Sequence, residues 1–213
     1  MSEERFGLAA RIRNAALGAI YRQTGKRFVP VAVSNRHVHL SRLDIETLFG
    51  AGYRLTPLRS LSQPRQFAAK ESVSLVGPKG RIDGVRVLGP ERKSSQVEIS
   101  ITDSFKLGIK PILRMSGDTA NSPGGRIETS FGAVDLREGV IVAARHLHLS
   151  LAQAKYLGLT DGQVISLKSD GGRGIVFDNV VVRSGGQFDM EVHLDTDEAN
   201  AAMLKDGDIL EVV

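Results

Sequence analysis

The hexapeptide Arg36-His37-Val38-His39-Leu40-Ser41 returns later in the chain as Arg145-His146-Leu147-His148-Leu149-Ser150. Along an extended strand, side chains at i and i+2 leave the same face. Each His-x-His therefore presents two imidazoles to one point in space, while Val38 and Leu40, or Leu147 and Leu149, face the other way. A single His-x-His is more often a core or surface accident than a ligand pair. Two copies in one apolar frame, holding four of the five histidines in the protein, reverse that reading. Each copy also runs into the start of a helix. Ser41 with Asp44, and Ser150 with Gln153, stand at capping-box spacing, which makes both serines N-caps and not nucleophiles.

What surrounds the repeat is a chain of 213 residues, enough for one large domain or two small ones. Its 23 glycines and frequent β-branched residues lean toward short strands joined by turns. Strands are expected at Phe28–Val31, Ser72–Val76, Gly84–Leu88, Val97–Ile101, Gly139–Ala143, Ile175–Val182 and Phe188–Leu194. A second echo, Leu157–Ile165 against Met203–Leu210, places an Asp-Gly turn before an alternating apolar strand each time. Many short strands with only stubby helices predict a mainly β protein of two small β-barrels capped by short α-helices. The interval 50–70 is polar and punctuated by proline, and reads as a loop or lid.

Residues 6–22 read as an amphipathic helix with Leu8, Ile12, Ala15 and Ala19 on one face and Arg11, Asn14, Gly18 and Arg22 on the other. Followed by a Thr24-Gly25-Lys26 break, it has the form of a docking or targeting peptide; a helix packed on its own domain is the alternative. No apolar run approaches the roughly 20 residues that span a bilayer, so no membrane partner is expected. The formal charge is +4, with a basic cluster at Lys79, Arg81, Arg86, Arg92 and Lys93. Aromatic residues make up 5 % of the chain and none interleaves with that cluster, which argues against nucleic acid and for a small polyanion such as phosphate or a nucleotide-bearing cofactor.

The absence of cysteine rules out disulfides and thiolate ligands, so a metal must be held by nitrogen and oxygen. The fifth histidine lies in Glu191-Val192-His193-Leu194-Asp195. Val192 and Leu194 face a core, and His193 projects with the two carboxylates, a natural third ligand for one His-x-His pair. Two pairs, His193 and one carboxylate supply three ligands for each of two ions, the pattern of catalytic zinc, which keeps a further position open. Zn²⁺ suits this set, with Co²⁺, Ni²⁺ and Mn²⁺ as alternatives. Glu71, Glu98, Asp103 and Glu191 compete for the carboxylate position. Glu98 has the right setting, because Val97, Ile99 and Ile101 would pack inward and leave it on the opposite face.

Four segments then resemble a known family: Ser34–Ser41, Gly84–Pro90, Gln96–Ser100 and Ala144–Ser150 are similar to the PduL-type phosphotransacylases, the phosphate propanoyltransferases of bacterial microcompartments. The resemblance runs from about Val31 to the C-terminus. It implies one barrel from 26–35 with 144–213 and a second from 36–143, the latter including the lid, after an N-terminal targeting helix and linker over 1–25. It implies a dinuclear zinc site between the barrels, with His37, His39 and Glu98 on one ion and His146, His148 and His193 on the other. Arg92 matches the family's phosphate-binding arginine. Ser34, Arg59, Arg86, Leu88, His193 and Asn200 match its coenzyme A pocket, Arg59 standing in place of a lysine. In Gln63-Pro64-Arg65 the family pattern has glycine where Arg65 sits, and Ser95 replaces a threonine.

The activity so implied is transfer of a short acyl group, propanoyl by preference, between CoA and inorganic phosphate. A homodimer in the microcompartment lumen of a bacterial cytoplasm, docked to shell or cargo through the N-terminal helix, completes the expectation. A dinuclear hydrolase and a non-catalytic, metal-stabilised shell-docking protein are the alternatives. The hydrolase would more often need further carboxylates and an alternating strand–helix pattern that this chain lacks.

Overall fold

The computed structural model describes residues 2–213, with the side chains of 2–8, 10 and 11 outside the description, so the expected roles of Leu8 and Arg11 lie outside it too. In chain order the elements are α1 (Ser2–Thr24), β1 (Phe28–Ser34), β2 (His37–His39), α2 (Arg42–Phe49), β3 (Pro57–Ser60), β4 (Phe67–Val76), β5 (Arg81–Gly89) and β6 (Gln96–Glu98). Next come α3 (Ile101–Leu107), β7 (Leu113–Arg114), β8 (Gly125–Glu128), β9 (Ala133–Leu136), β10 (Val140–Ala143), β11 (His146–Leu149) and α4 (Leu151–Leu157). The chain ends with β12 (Val164–Lys168), β13 (Val176–Ser184), β14 (Glu191–Asp195), α5 (Thr196–Ala201) and β15 (Ile209–Val212). No helix among the described residues is long and apolar enough to cross a membrane.

The chain divides into two compact units. The first comprises the residues up to Ser34, the short segment Ser62–Pro64, and Arg145–Val213. Its strands close a barrel in the order β1-β14-β11-β13-β12-β15, with β15 returning antiparallel to β1. Alternation fills the interior: Leu147 and Leu149 of β11, Val192 and Leu194 of β14, and Val29 and Val31 of β1 are all at or below 1 % exposure. Closure leaves no unpaired edge and fixes the register of β11, because a one-residue slip would turn its leucines outward.

The second unit, Asn35–Leu61 with Arg65–Ala144, is a nine-stranded sheet in the order β7-β10-β6-β2-β5-β4-β8-β9, with β3 on β4. It curls as a half-barrel over a core of Val38, Leu40, Ile45, Leu48, Val87, Val97 and Ile127. Two details depart from the sequence expectation. Part of the interval 50–70 is strand, since Pro57–Ser60 pairs antiparallel with β4. The strand expected over 97–101 ends at Glu98, and Ser100 instead caps a helix through a reciprocal capping box with Asp103. On α1, the side that packs is the one away from the apolar stripe read in the sequence. Leu17 enters the barrel core and Asn14 reaches Asp189, whereas Ile12 and Ala15 are exposed.

The β3–β4 hairpin turns at residues 61–66, closed by Leu61 N–H donating to Gln66 O at 2.9 Å. Arg65 in that turn takes φ 64°, a left-handed conformation that costs a residue with a Cβ about 1–2 kcal/mol. Arg65→Gly is therefore expected to raise unfolding stability by up to about 1 kcal/mol after the extra chain entropy is counted. Chemical denaturation checks this, and a loss of stability would mean that the Arg65 side chain itself holds the turn.

Candidate metal centre

In the second unit, β2 carries His37 and His39 and runs antiparallel to β6, with His37 opposite Glu98, Val38 opposite Val97 and His39 opposite Gln96. Pairing across the ladder brings the carboxylate to the imidazoles, and all three side chains are buried. His37 Nδ1–H donates to the Asn35 carbonyl at 2.8 Å, which leaves Nε2, 3.6 Å from Glu98 Oε1, as the ring's free lone pair. Glu98 Oε1 accepts from Gln96 Nε2 at 2.6 Å and from Ser116 Oγ at 2.7 Å. Arg92 lies alongside, its Nη2 2.8 Å from His39 Nε2 and its Nη1 3.4 Å from Ser116 Oγ.

The first unit repeats the arrangement. Strand β11 runs antiparallel to β14, with His146 opposite His193, Leu147 opposite Val192 and His148 opposite Glu191. The three imidazoles cluster with ring centroids 4.7–4.9 Å apart. Phe188 stacks on His148 at 4.3 Å, and the Arg183 guanidinium lies 5.4 Å from the far ring's centroid. Glu191 is buried and stands outside the triad proper, with Oε2 3.3 Å from His193 Nε2.

The two units match beyond the hexapeptide. Gln96-Val97-Glu98 and Glu191-Val192-His193 occupy the same register positions, so Glu98 and His193 are equivalent third members of their triads, and Gln96 is equivalent to Glu191. Arg36, which precedes the first pair, bonds Asp103 at 2.8 Å, the N3 residue of α3. Arg145, which precedes the second, bonds Glu198, the N3 residue of α5. The bulge glycine Gly84 of β5, at φ 70°, corresponds to Asn179 of β13, at φ 60°. Of these matches the sequence reading had only the hexapeptide, and the shared central valine followed by an N-cap was the signal available for the rest.

Burial pulls the His37 imidazole down, but the Glu98 carboxylate outweighs it and the net shift is upward. Burial, His37 and Arg92 hold His39 well below its ordinary value. Against the opposing effect of burial, His37 holds Glu98 well below the usual carboxylate range. His39 is thus neutral at physiological pH, the form a metal requires. His39 Nδ1 is buried and makes no hydrogen bond, and His193 Nε2 is off hydrogen-bond geometry with Glu191. Unmade hydrogen bonds at buried polar atoms cost about 1–3 kcal/mol each and call for a partner. Within each triad, one ligand atom per residue lies within 4.8 Å of the others. Neutral imidazoles with at most one carboxylate suit a divalent transition ion, so the residues fit zinc.

The other expected site residues divide between the units. In the first, Ser34 lies on β1 opposite Asp195, His193 sits opposite Ala32, and Asn200 is exposed on α5. In the second, Arg86 is opposite His37, while Leu88 and Arg59 both pair with Ala68. One Arg86 nitrogen is committed to its own sheet, donating to the Lys70 carbonyl at 2.7 Å and the Ala69 carbonyl at 3.1 Å. Of the competing carboxylates, Glu71 holds the loop after α2 through Tyr53 and Thr56, and Asp103 serves Arg36 and its helix cap.

A family model described as phosphate propanoyltransferase matches residues 30–205. The chain belongs to that family. It is 53 % identical to the phosphate propanoyltransferase of Thermotoga maritima over 184 residues, 86 % of this chain and 88 % of the relative. It is 48 % identical to that of Salmonella typhimurium, over 83 % of this chain and 84 % of the relative. With the Clostridioides difficile protein of the same name the identity is 43 %, over 91 % and 93 %. The chain is therefore an acyltransferase, and its mainly β fold is the frame on which that chemistry is built.

The electrostatics of the Glu98 triad can be read in metal-free protein. His37, raised in the fold, adds stability below its ordinary 6.5 that is lost as pH rises through the folded value. Glu98, depressed in the fold, adds stability above its ordinary 4.5 that is lost as pH falls through the folded value. Both contributions coexist between those limits. Glu98→Gln removes the charge that outweighs burial and leaves only the Asn35 carbonyl to oppose burial and Arg92, so the His37 midpoint is expected to fall, as followed by NMR titration. An unchanged midpoint would show that the two side chains do not interact in solution.

Proposed function

We propose that this protein is a phosphate propanoyltransferase that interconverts propanoyl-CoA plus phosphate with propanoyl phosphate plus CoA, with one zinc ion held by each triad. The observation that carries this reading is the pair of buried three-ligand groups built on equivalent strands of a chain that belongs to this family. His37, His39 and Glu98 hold one ion and His146, His148 and His193 the other. When bound, such ions supply positive charge that polarises a thioester carbonyl and binds phosphate oxygens.

The chain's own residues supply the rest. Arg92 contacts His39 and Ser116 through separate guanidinium nitrogens, which fixes the plane of its fork beside the triad. A fork so placed orients a phosphate by charge-assisted hydrogen bonds. A phosphate oxygen forms the new bond to the acyl carbon, the carbon–sulfur bond breaks, and CoA leaves as the thiolate, which takes up a proton. A covalent intermediate on cysteine is excluded by composition, and Ser41 and Ser150 are occupied as helix caps. Ser34, His193 and Asn200 of the first unit and Arg59, Arg86 and Leu88 of the second are the residues assigned to coenzyme A binding on this reading.

Thiol release from propanoyl-CoA tests the reading. Release is expected to require phosphate and to disappear on chelation. Release without phosphate would favour the hydrolase, and none at all a non-catalytic role. Arg92→Ala should raise the phosphate KM and depress turnover while bound zinc stays at two ions per chain. Normal phosphate kinetics in that variant would remove Arg92 from the mechanism.

Docking to a microcompartment shell or its cargo, lumenal placement and homodimer formation complete the proposal. The exposed Ile12 and Ile20, with Ala9, Ala15 and Ala16 between and beside them, form an apolar stripe on α1 opposite packed Leu17. Ile12→Glu with Ile20→Glu is expected to release the enzyme from purified shells and to leave acyl transfer unchanged. Continued co-sedimentation of that variant with shells would reassign the docking surface.

A further inference from the structure

Glu191 is the buried carboxylate for which neither the triad nor the proposed mechanism has a use. It is 5 % exposed, and burying an ionised carboxylate is unfavourable unless its oxygens are fully engaged. Its partners come from two directions. On its own strand, His193 Nε2 lies 3.3 Å from Oε2. From the short segment of the first unit that is remote in sequence, Ser62 Oγ donates to the same oxygen, and Gln63 Nε2 lies 3.4 Å from it. Gln63 is also fastened to the backbone beside Glu191, donating to the Asp189 carbonyl at 3.1 Å and accepting from Asp189 N–H at 3.3 Å. It is 3 % exposed, which is unusual for a glutamine at the tip of a turn.

The equivalent position in the other unit shows what a residue at this register does. Gln96 donates to the third ligand Glu98 at 2.6 Å and accepts from Gly117 N–H at 2.7 Å, so it ties the ligand to a loop. Glu191 spans the same gap with the charge reversed: it stands 3.3 Å from His193 Nε2, an ion-pair distance without a formed hydrogen bond, and accepts hydrogen bonds from the turn at residues 62–63. Groups that restrain metal-ligating histidines from behind are worth about 10–100-fold in metal affinity.

We propose that Glu191 is a positioning residue that couples ion binding at His146, His148 and His193 to docking of the Ser62-Gln63 turn. An ion that fixes the His193 ring fixes Glu191, and Glu191 in turn holds Ser62 and Gln63. Linkage makes the effect reciprocal: whatever the docked turn adds to ion affinity, the ion adds to turn docking. The inference rests on the reading that these histidines hold zinc.

The test is a Zn²⁺ titration of the full metal-stripped chain against a chromophoric chelator, with amide hydrogen exchange followed over residues 61–66. Wild type is expected to bind two ions and to gain protection in 61–66 when they bind. Glu191→Gln, which keeps the volume and removes the charge, should weaken one of the two sites about 10–100-fold, leave the other unchanged, and abolish the gain in protection. Ser62→Ala with Gln63→Ala leaves Glu191 and His193 untouched and should weaken the same site alone. Two ions bound equally tightly by all three proteins, or protection of 61–66 that ignores zinc, would overturn the coupling and leave the metal reading standing. A wild-type chain that binds no zinc would overturn both.

Discussion

The structure depends on one pairing, made twice: a His-x-His strand hydrogen-bonded antiparallel to a strand that brings a third ligand opposite the first histidine. The pleat sends both histidines to one face, and the ladder decides what they meet there. His37 meets Glu98 and His146 meets His193, in both cases one residue from a central valine at or below 1 % exposure. The apolar and the ligating halves of each strand cannot be set independently. Moving Leu147 out of the barrel core would carry His146 and His148 away from His193 in the same step. The packed core is what places the ligands.

That placement is costly without an ion. Three imidazole centroids stand under 5 Å apart in one triad, and in the other burial holds His39 neutral, with its Nδ1 left without a hydrogen bond. The capping interactions nearby offset part of it. Ser100, Ser150 and Asp195 each close a reciprocal capping box at the end of a strand that carries a triad residue, Asp195 as the last residue of β14, Ser150 directly after β11 and Ser100 one residue further beyond β6. Each such cap contributes about 1 kcal/mol and fixes where the strand must end. Arg36 and Arg145 then lock the strand entrance to a helix start, so strand, helix and ligand position form one unit.

Much of this was legible from residues alone, because period-two alternation and cap spacing are local. The His-x-His strands, the serine caps and His193 could be read directly, whereas the choice of Glu98 among four carboxylates needed a family resemblance. Helices α3 and α5 were missed because 7 and 6 residues are too few to show helical periodicity. Ser100 with Asp103 nevertheless carried the same cap spacing that located α2 and α4. Strand β7, two residues long, has no period to detect. Which face of α1 packs was not legible in the sequence at all. An apolar stripe says which residues avoid water, and the neighbouring barrel surface decides which of them find cover.

The deeper duplication was hidden because function has altered its chemistry while the geometry stayed fixed. Each triad has a carboxylate close by, in swapped positions: Glu98 is a member of its triad with the amide of Gln96 bonded to it, whereas Glu191 stands beside the triad member His193. Each also has an arginine on the side of its second histidine. Arg92 reaches His39 directly, while Phe188 stacks on His148 and carries Arg183 over its ring. The formal charges of the two surroundings match, but their reach differs. Arg92 places its guanidinium at the triad itself, whereas Arg183 stands over the ring that stacks on His148, so one strand frame carries a direct cation contact in one unit and an aromatic stack in the other.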